Sequence, residues 1–144
     1  MTQIKRVSVM VGVVLLLMSA SRAYALGVPG AWGNSYGENS CFTIQGGSIV
    51  NTKCLSAGIQ WFMQLPVNAG GHTVTVNGTN NSHSLVCSLE SLTQTGAYYQ
   101  LQQVFFPVGI SSQNLAVSVP GDGALWLDCH IYANDSINSA NYGQ

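Results

Sequence analysis

Residues 114–132 read NLAVSVPGDGALWLDCHIY, and the spacing of their apolar positions decides the fold class. Leu115, Val117 and Val119 alternate with small or polar residues, Pro120 to Gly123 form a turn, and Leu125, Leu127, Cys129 and Ile131 resume the alternation. A period of two marks a strand with one buried face, since successive side chains leave a strand on opposite sides. The opposite face of the second strand then carries Trp126, Asp128, His130 and Tyr132.

The same period recurs outward from this pair. GIQWFMQLP places Ile59, Trp61, Met63 and Leu65 on one face and Gln60, Phe62 and Gln64 on the other. CFTIQ and SIVNTKCL flank Gly46-Gly47, a tight hairpin because glycine accepts positive φ without steric cost. HTVTV and HSLVCSL flank NGTNNS, and a continuous apolar face sets Val76 opposite His83, Val74 opposite Leu85 and His72 opposite Cys87. AYYQLQQVFFP shifts phase midway, which predicts a bulge or a strand covered on both faces. Helical periodicity is absent almost throughout. Seven or eight short strands at this spacing predict an all-β, two-sheet antiparallel β-sandwich, and immunoglobulin-like and jelly-roll orders both fit.

The ends divide the chain further. Residues 1–25 show Lys5 and Arg6, an apolar run from Val7 to Met18, and then Ala23, Tyr24 and Ala25. That is the layout of a signal peptide, with cleavage expected after Ala25, and the run is shorter than the roughly 20 residues a membrane helix needs. No second run of membrane length follows, so the mature chain is expected to be secreted or periplasmic with no membrane span. Residues 26–40 read as a Gly-rich arm with Trp32 and Tyr36 as docking points, 41–132 as the sandwich, and 133–144 as a polar tail expected to fray.

Removal of the leader leaves Lys53 as the one fixed cation against Glu38, Glu90, Asp122, Asp128 and Asp135, a formal charge of minus four. With one Lys and no Arg the mature chain has no means of tracking phosphates, so no nucleic-acid partner is expected. A neutral, amide-rich surface suits a neutral glycan or homotypic assembly. Cys41, Cys54, Cys87 and Cys129 form an even set behind an export signal, and disulfides are the expectation. Of three possible pairings we expect Cys41 with Cys54 and Cys87 with Cys129, contributing about 3 and about 4 kcal/mol by loop entropy. No C-x-x-C spacing occurs, and His72, His83 and His130 lack ligand spacing; no metal and no cofactor are expected.

Trp126, Asp128, His130 and Tyr132 form the candidate site. Aromatic faces can stack on sugar rings while Asp and His hydrogen-bond hydroxyls. The competing reading is an ordinary outward face. No G-x-S-x-G elbow is present, and of the five acids Glu38 falls in the arm, Asp122 in a turn and Asp135 in the tail, so no catalytic residue and no enzymatic activity are expected. His72 and His83 are expected to face inward at strand ends. Asn77, Asn80 and Asn134 head N-x-S/T sequons, which matter only in a eukaryotic host.

From Cys41 to Tyr132, an early cysteine, a second about a dozen residues on, a VCSL strand and a final LDC strand resemble a largely uncharacterised class of small exported four-cysteine bacterial β-sandwich proteins. Leu55 stands where that class often has proline after the second cysteine, and Ile131-Tyr132 where it has Leu-Pro. The resemblance implies a disulfide-linked sandwich and no activity. The sequence thus points to an exported non-catalytic domain with a binding or structural role at or outside the cell envelope. The alternatives are a glycan-binding module using Trp126 to Tyr132, a fibre subunit donating its arm to a neighbour, and a small secreted hydrolase.

Overall fold

A computed structural model describes residues 25–35, 39–54 and 58–143 of the 144-residue chain. The signal-peptide assignment, apart from Ala25, lies outside these residues, as do Tyr36 and Glu38. Among the described residues there are eleven strands: β1 Ala25–Pro29, β2 Asn34–Ser35, β3 Phe42–Gln45, β4 Ser48–Asn51, β5 Ile59–Leu65, β6 Gly70–Asn80, β7 Val86–Leu92, β8 Tyr98–Phe105, β9 Gly109–Val119, β10 Ala124–Ile131 and β11 Ser136–Gly143. The described residues hold no α-helix, only two 3-10 turns at Gly30–Trp32 and Asn39–Cys41.

The strands pair antiparallel in two sheets. Sheet A runs β3-β4-β11-β6-β9, with β1 also on β11, and sheet B runs β2-β5-β10-β7-β8. The order resolves the topology left open by the sequence. β4 pairs with β11, β5 with β10, β6 with β9 and β7 with β8, and these nested pairs fall alternately in sheets A and B. That is one long hairpin ribbon wound around a core, a jelly-roll order.

Alternation places the core where the sequence predicts it. Trp61, Met63 and Leu65 of β5, Leu115, Val117 and Val119 of β9, and Leu125, Leu127, Cys129 and Ile131 of β10 are all buried. Both expected disulfides form. Cys41–Cys54 closes the ends of the β3–β4 hairpin, and Cys87–Cys129 joins directly opposed residues of β7 and β10 inside the core. At the hairpin tip Gly46 and Gly47 have φ of 58° and 89°, the positive values a type I′ turn requires.

Three local expectations are corrected. β6 and β7 do not form a hairpin: β6 continues through the sequon at Asn77 to Asn80, and the chain then crosses to the other sheet. Two apolar faces that both point at the same core need not be side by side. His83 accordingly sits exposed in the crossing loop at φ 70°, while His72 is buried and its Nε2 lies 2.7 Å from the Asn68 carbonyl. The expected polar tail is strand β11 at the centre of sheet A, burying Ile137, Ala140 and Tyr142. A register shift between Ile137 and Ser139 moves its inward set from odd to even numbers and hides the period. The N-terminal arm supplies β1 and β2, paired with β11 and β5 of its own chain.

The bulge expected in β8 is present, near its start rather than midway: Ser91 pairs with Gln100 and Leu92 with Tyr98, so Tyr99 is the extra residue. From Gln100 onward the phase is constant, with Leu101, Gln103 and Phe105 on the outer face and Gln100, Gln102 and Val104 on the inner, and across the bulge the even-numbered Tyr98 joins the outer face. Asp135, assigned to the tail, is fully buried and accepts from the Asn81 and Ser82 backbone N–H groups at 2.7 and 2.9 Å and from Ser82 Oγ at 2.6 Å. It ties the β10–β11 turn to the β6–β7 crossing.

Candidate functional site

The outer face of sheet B is where the two disulfide-linked central strands meet their neighbours. Pairing of Cys129 with Cys87 fixes the register, so Asp128 stands opposite Ser88 and Trp126 opposite Glu90. On the other side Asp128 stands opposite Phe62 and His130 opposite Gln60. Side chains directly opposite or diagonal on one face lie within reach of each other. Four strands therefore converge on a groove of about 530 Å³ lined by Gln60 and Phe62 of β5, Glu90 and Leu92 of β7, Tyr98 of β8, and Trp126 and Asp128 of β10. A shallower cavity of about 320 Å³ continues it across β8, past Tyr98, Tyr99 and Leu101.

The groove has an aromatic floor. Phe62 and Trp126 pack with ring centroids 5.5 Å apart and planes tilted by 43°, a geometry that aromatic quadrupoles favour. Tyr98, 71% exposed, forms the far wall, and its hydroxyl donates to the Glu90 carboxylate.

Two carboxyl groups stand among these rings. Burial raises Asp128 above the ordinary carboxylate range, opposed by the hydrogen bond from Gln60 Nε2 to its Oδ2 and by nearby His130. Burial also raises Glu90, reinforced by the charge of Asp128 and opposed by Tyr98. Asp128 Oδ1 is buried and has no hydrogen-bond partner among the described residues. A buried acceptor left unpaired costs about 1 to 3 kcal/mol. The site therefore combines apolar stacking surface with an unsatisfied acceptor.

Of the four residues singled out in the sequence, the structure brings together two. Trp126 and Asp128 line the groove. His130 is exposed beyond its end, and Tyr132 lies against the backbone of Gly58, where an added Cβ would stand 2.6 Å from the ring. Gln60, Phe62, Glu90, Leu92 and Tyr98 were not singled out because they arrive from other strands. One signal was available for Glu90: the expected Cys87–Cys129 pair, extended antiparallel by three residues, sets Glu90 opposite Trp126. His72, His83 and His130 are not brought together, one being inside the sandwich, one in a loop and one on the outer face.

No protein-family model and no curated protein matches the chain. Solved structures do. BiXyn10A CBM1 in its apo form superposes with a TM-score of 0.56 at 13% identity, covering 85% of this chain and 97% of that one. The C-terminal CBM6 of LamC, a laminarinase from Zobellia galactanivorans, gives 0.54 at 10% identity, covering 84% and 100%. The carbohydrate-binding module CBM6cm-2 of Cellvibrio mixtus lichenase 5A, solved with cellotriose, gives 0.50 at 7% identity, covering 83% and 96%. At these identities the likeness is one of fold: this chain is a β-sandwich of the kind these modules adopt.

Proposed function

We propose that the chain is an exported, non-catalytic glycan-binding module whose site is the groove on the outer face of sheet B. The observation that carries this reading is the combination of the Phe62, Trp126 and Tyr98 rings with the carboxyl-bearing side chains of Asp128 and Glu90 in one groove. A pyranose ring presents C–H groups on its faces and hydroxyls at its rim. The negative faces of aromatic rings attract the former, and carboxylate and amide oxygens accept from the latter.

Further support comes from charge and surroundings. Glu90 and Asp128 are acceptors without a neighbouring Lys or Arg, which suits a neutral polysaccharide better than an acidic one. The modules that share the fold include one solved with cellotriose. Two disulfides belong to an oxidising compartment, in keeping with a leader cleaved after Ala25.

Titration of the mature protein with cello-, laminari- and xylo-oligosaccharides, followed by tryptophan fluorescence and calorimetry, tests the reading. At least one class should quench fluorescence. Trp126→Ala should weaken that binding by about 100-fold, as loss of a central aromatic anchor does, while Trp32→Ala leaves it unchanged. An unaltered spectrum across the panel sinks the proposal. Reducing-sugar release that disappears in Glu90→Gln would replace binding by hydrolysis.

A further inference from the structure

Each sheet ends in a long strand on the same side of the sandwich, and the two ends are treated differently. On β9 the backbone N–H groups of Ala116 and Ser118 donate to the side-chain oxygens of Gln102 and Gln100, which reach across from the inner face of β8. The edge of sheet A is thereby closed within the chain. Among the described residues β8 has no such cover. Phe106 N–H donates to the Leu85 carbonyl and Gln100 N–H to Ser91 Oγ, so the even residues from Gln100 turn their backbone toward β7. Ladder alternation then turns the N–H and C=O groups of Leu101, Gln103 and Phe105 outward, where sheet B ends, and Tyr99 is the extra residue of the bulge.

Soluble proteins blunt such an edge with Lys, Pro, bulges or brevity. Over its eight residues, YYQLQQVF, β8 carries neither charge nor proline, its one bulge lies at Tyr99 near its start, and Tyr99, Leu101 and Phe105 are 53%, 61% and 70% exposed. Fully buried aromatics contribute roughly 150–250 Å² each, so the Tyr99 and Phe105 rings leave roughly 200–300 Å² uncovered. With Leu101 and the edge backbone the area stays below the roughly 800 Å² per partner of a standard interface, which is the size of a weak, reversible contact.

We infer that β8 pairs antiparallel with β8 of a second copy of this chain, making a two-fold dimer. The strand is self-complementary. With the axis at Gln102, Leu101 meets the partner's Gln103 as a hydrogen-bonded pair on either side of the axis, about four hydrogen bonds in all, and the Tyr99 ring at the bulge meets the partner's Phe105. The facing aromatic pairs lie on one surface, where cross-strand aromatic contacts stabilise a sheet. Two five-stranded sheets become one of ten strands with both grooves on the same face. Dimerisation stands apart from glycan binding; its bivalent use rests on that reading.

Sedimentation of the mature chain with both disulfides intact, from about 1 to 500 μM, tests this, a range that spans the weak end for interfaces of this size. A monomer–dimer equilibrium is expected, and Leu101→Lys with Phe105→Lys should weaken it at least 100-fold at unchanged near-ultraviolet dichroism. Hydrogen exchange on the unaltered protein provides a measurement that needs no variant. The amides of Leu101 and Gln103 should slow as concentration rises. A monomer throughout the range, open-ended polymers, or a dimer in which those two amides exchange as fast as in dilute protein would each overturn the inference.

Discussion

The outer faces of the two sheets use the same alternation to opposite ends. At the centre of sheet A the outward residues of β6, β9 and β11 are mainly Thr, Asn and Ser, and these satisfy one another across strands: Thr75 Oγ1 donates to Asn114 Oδ1 at 2.7 Å, Asn77 Nδ2 to Ser139 Oγ at 2.8 Å, and Ser112 Oγ to Asn77 Oδ1 at 2.5 Å. On sheet B the outward row is aromatic and acidic, and Asp128 keeps an acceptor unpaired. A face that meets its own hydrogen-bonding needs has little to offer a ligand. One that leaves rings exposed and a carboxyl oxygen unpaired gives up stability, and this difference, rather than the fold, is why we propose sheet B as the working surface.

The contrast can be broken most forcefully at Phe62. It is half-buried beneath Trp126, so Phe62→Ala should cost about 2 kcal/mol in chemical denaturation, at the low end for a large aromatic truncation, and should lower glycan affinity at least tenfold in calorimetry. On the other face, Asn77→Ala removes two lattice hydrogen bonds. It should cost about 1 to 2 kcal/mol with glycan affinity unchanged; a loss of binding there would mean that the two faces are not independent.

The smallest effect sharpens the comparison, because it runs the other way. Burial raises Glu90 and Asp128, so the folded chain holds these protons more tightly than the unfolded chain does. Stability should therefore fall as pH rises from the ordinary carboxylate range through the raised values, and level off above them. Thermal melts between about pH 4 and pH 8 should show that slope. Asp128→Asn should flatten it and raise neutral-pH stability by no more than about 1 kcal/mol, since both groups are partly solvated. The same variant should bind glycan more weakly. Gains in stability and losses in affinity from one substitution would show that the groove is held in a costly state for its ligand.

Much of the frame was legible in the residues. Leu115 to Val119 and Leu125 to Ile131 show their buried faces because each strand's neighbours in sequence obey the same period. The cysteine pairing was legible for a related reason: inward cysteines in apolar runs can reach only one another. β11 was not legible, since its outward Ser and Asn residues complete the polar lattice of sheet A and a register shift breaks its inward set. The bulge of β8 was legible as a broken alternation, but its place at Tyr99 was not, because the inward positions that follow are glutamines serving β9.

The site divides along the same line. Trp126 and Asp128 were visible as a pair two residues apart, a local fact of strand geometry. Their company was not, because Phe62, Glu90 and Tyr98 come from strands 28 to 64 residues away in the chain, and only the pairing of β10 with β5 and β7, and of β7 with β8, sets them together. The sequence by itself determined the all-β class, the inward faces and the covalent links, since these follow from period and side-chain chemistry within single strands. Sheet membership, the jelly-roll order, the groove and the open edge at β8 were decided by tertiary structure, because backbone pairing between distant strands leaves no periodic mark on either one.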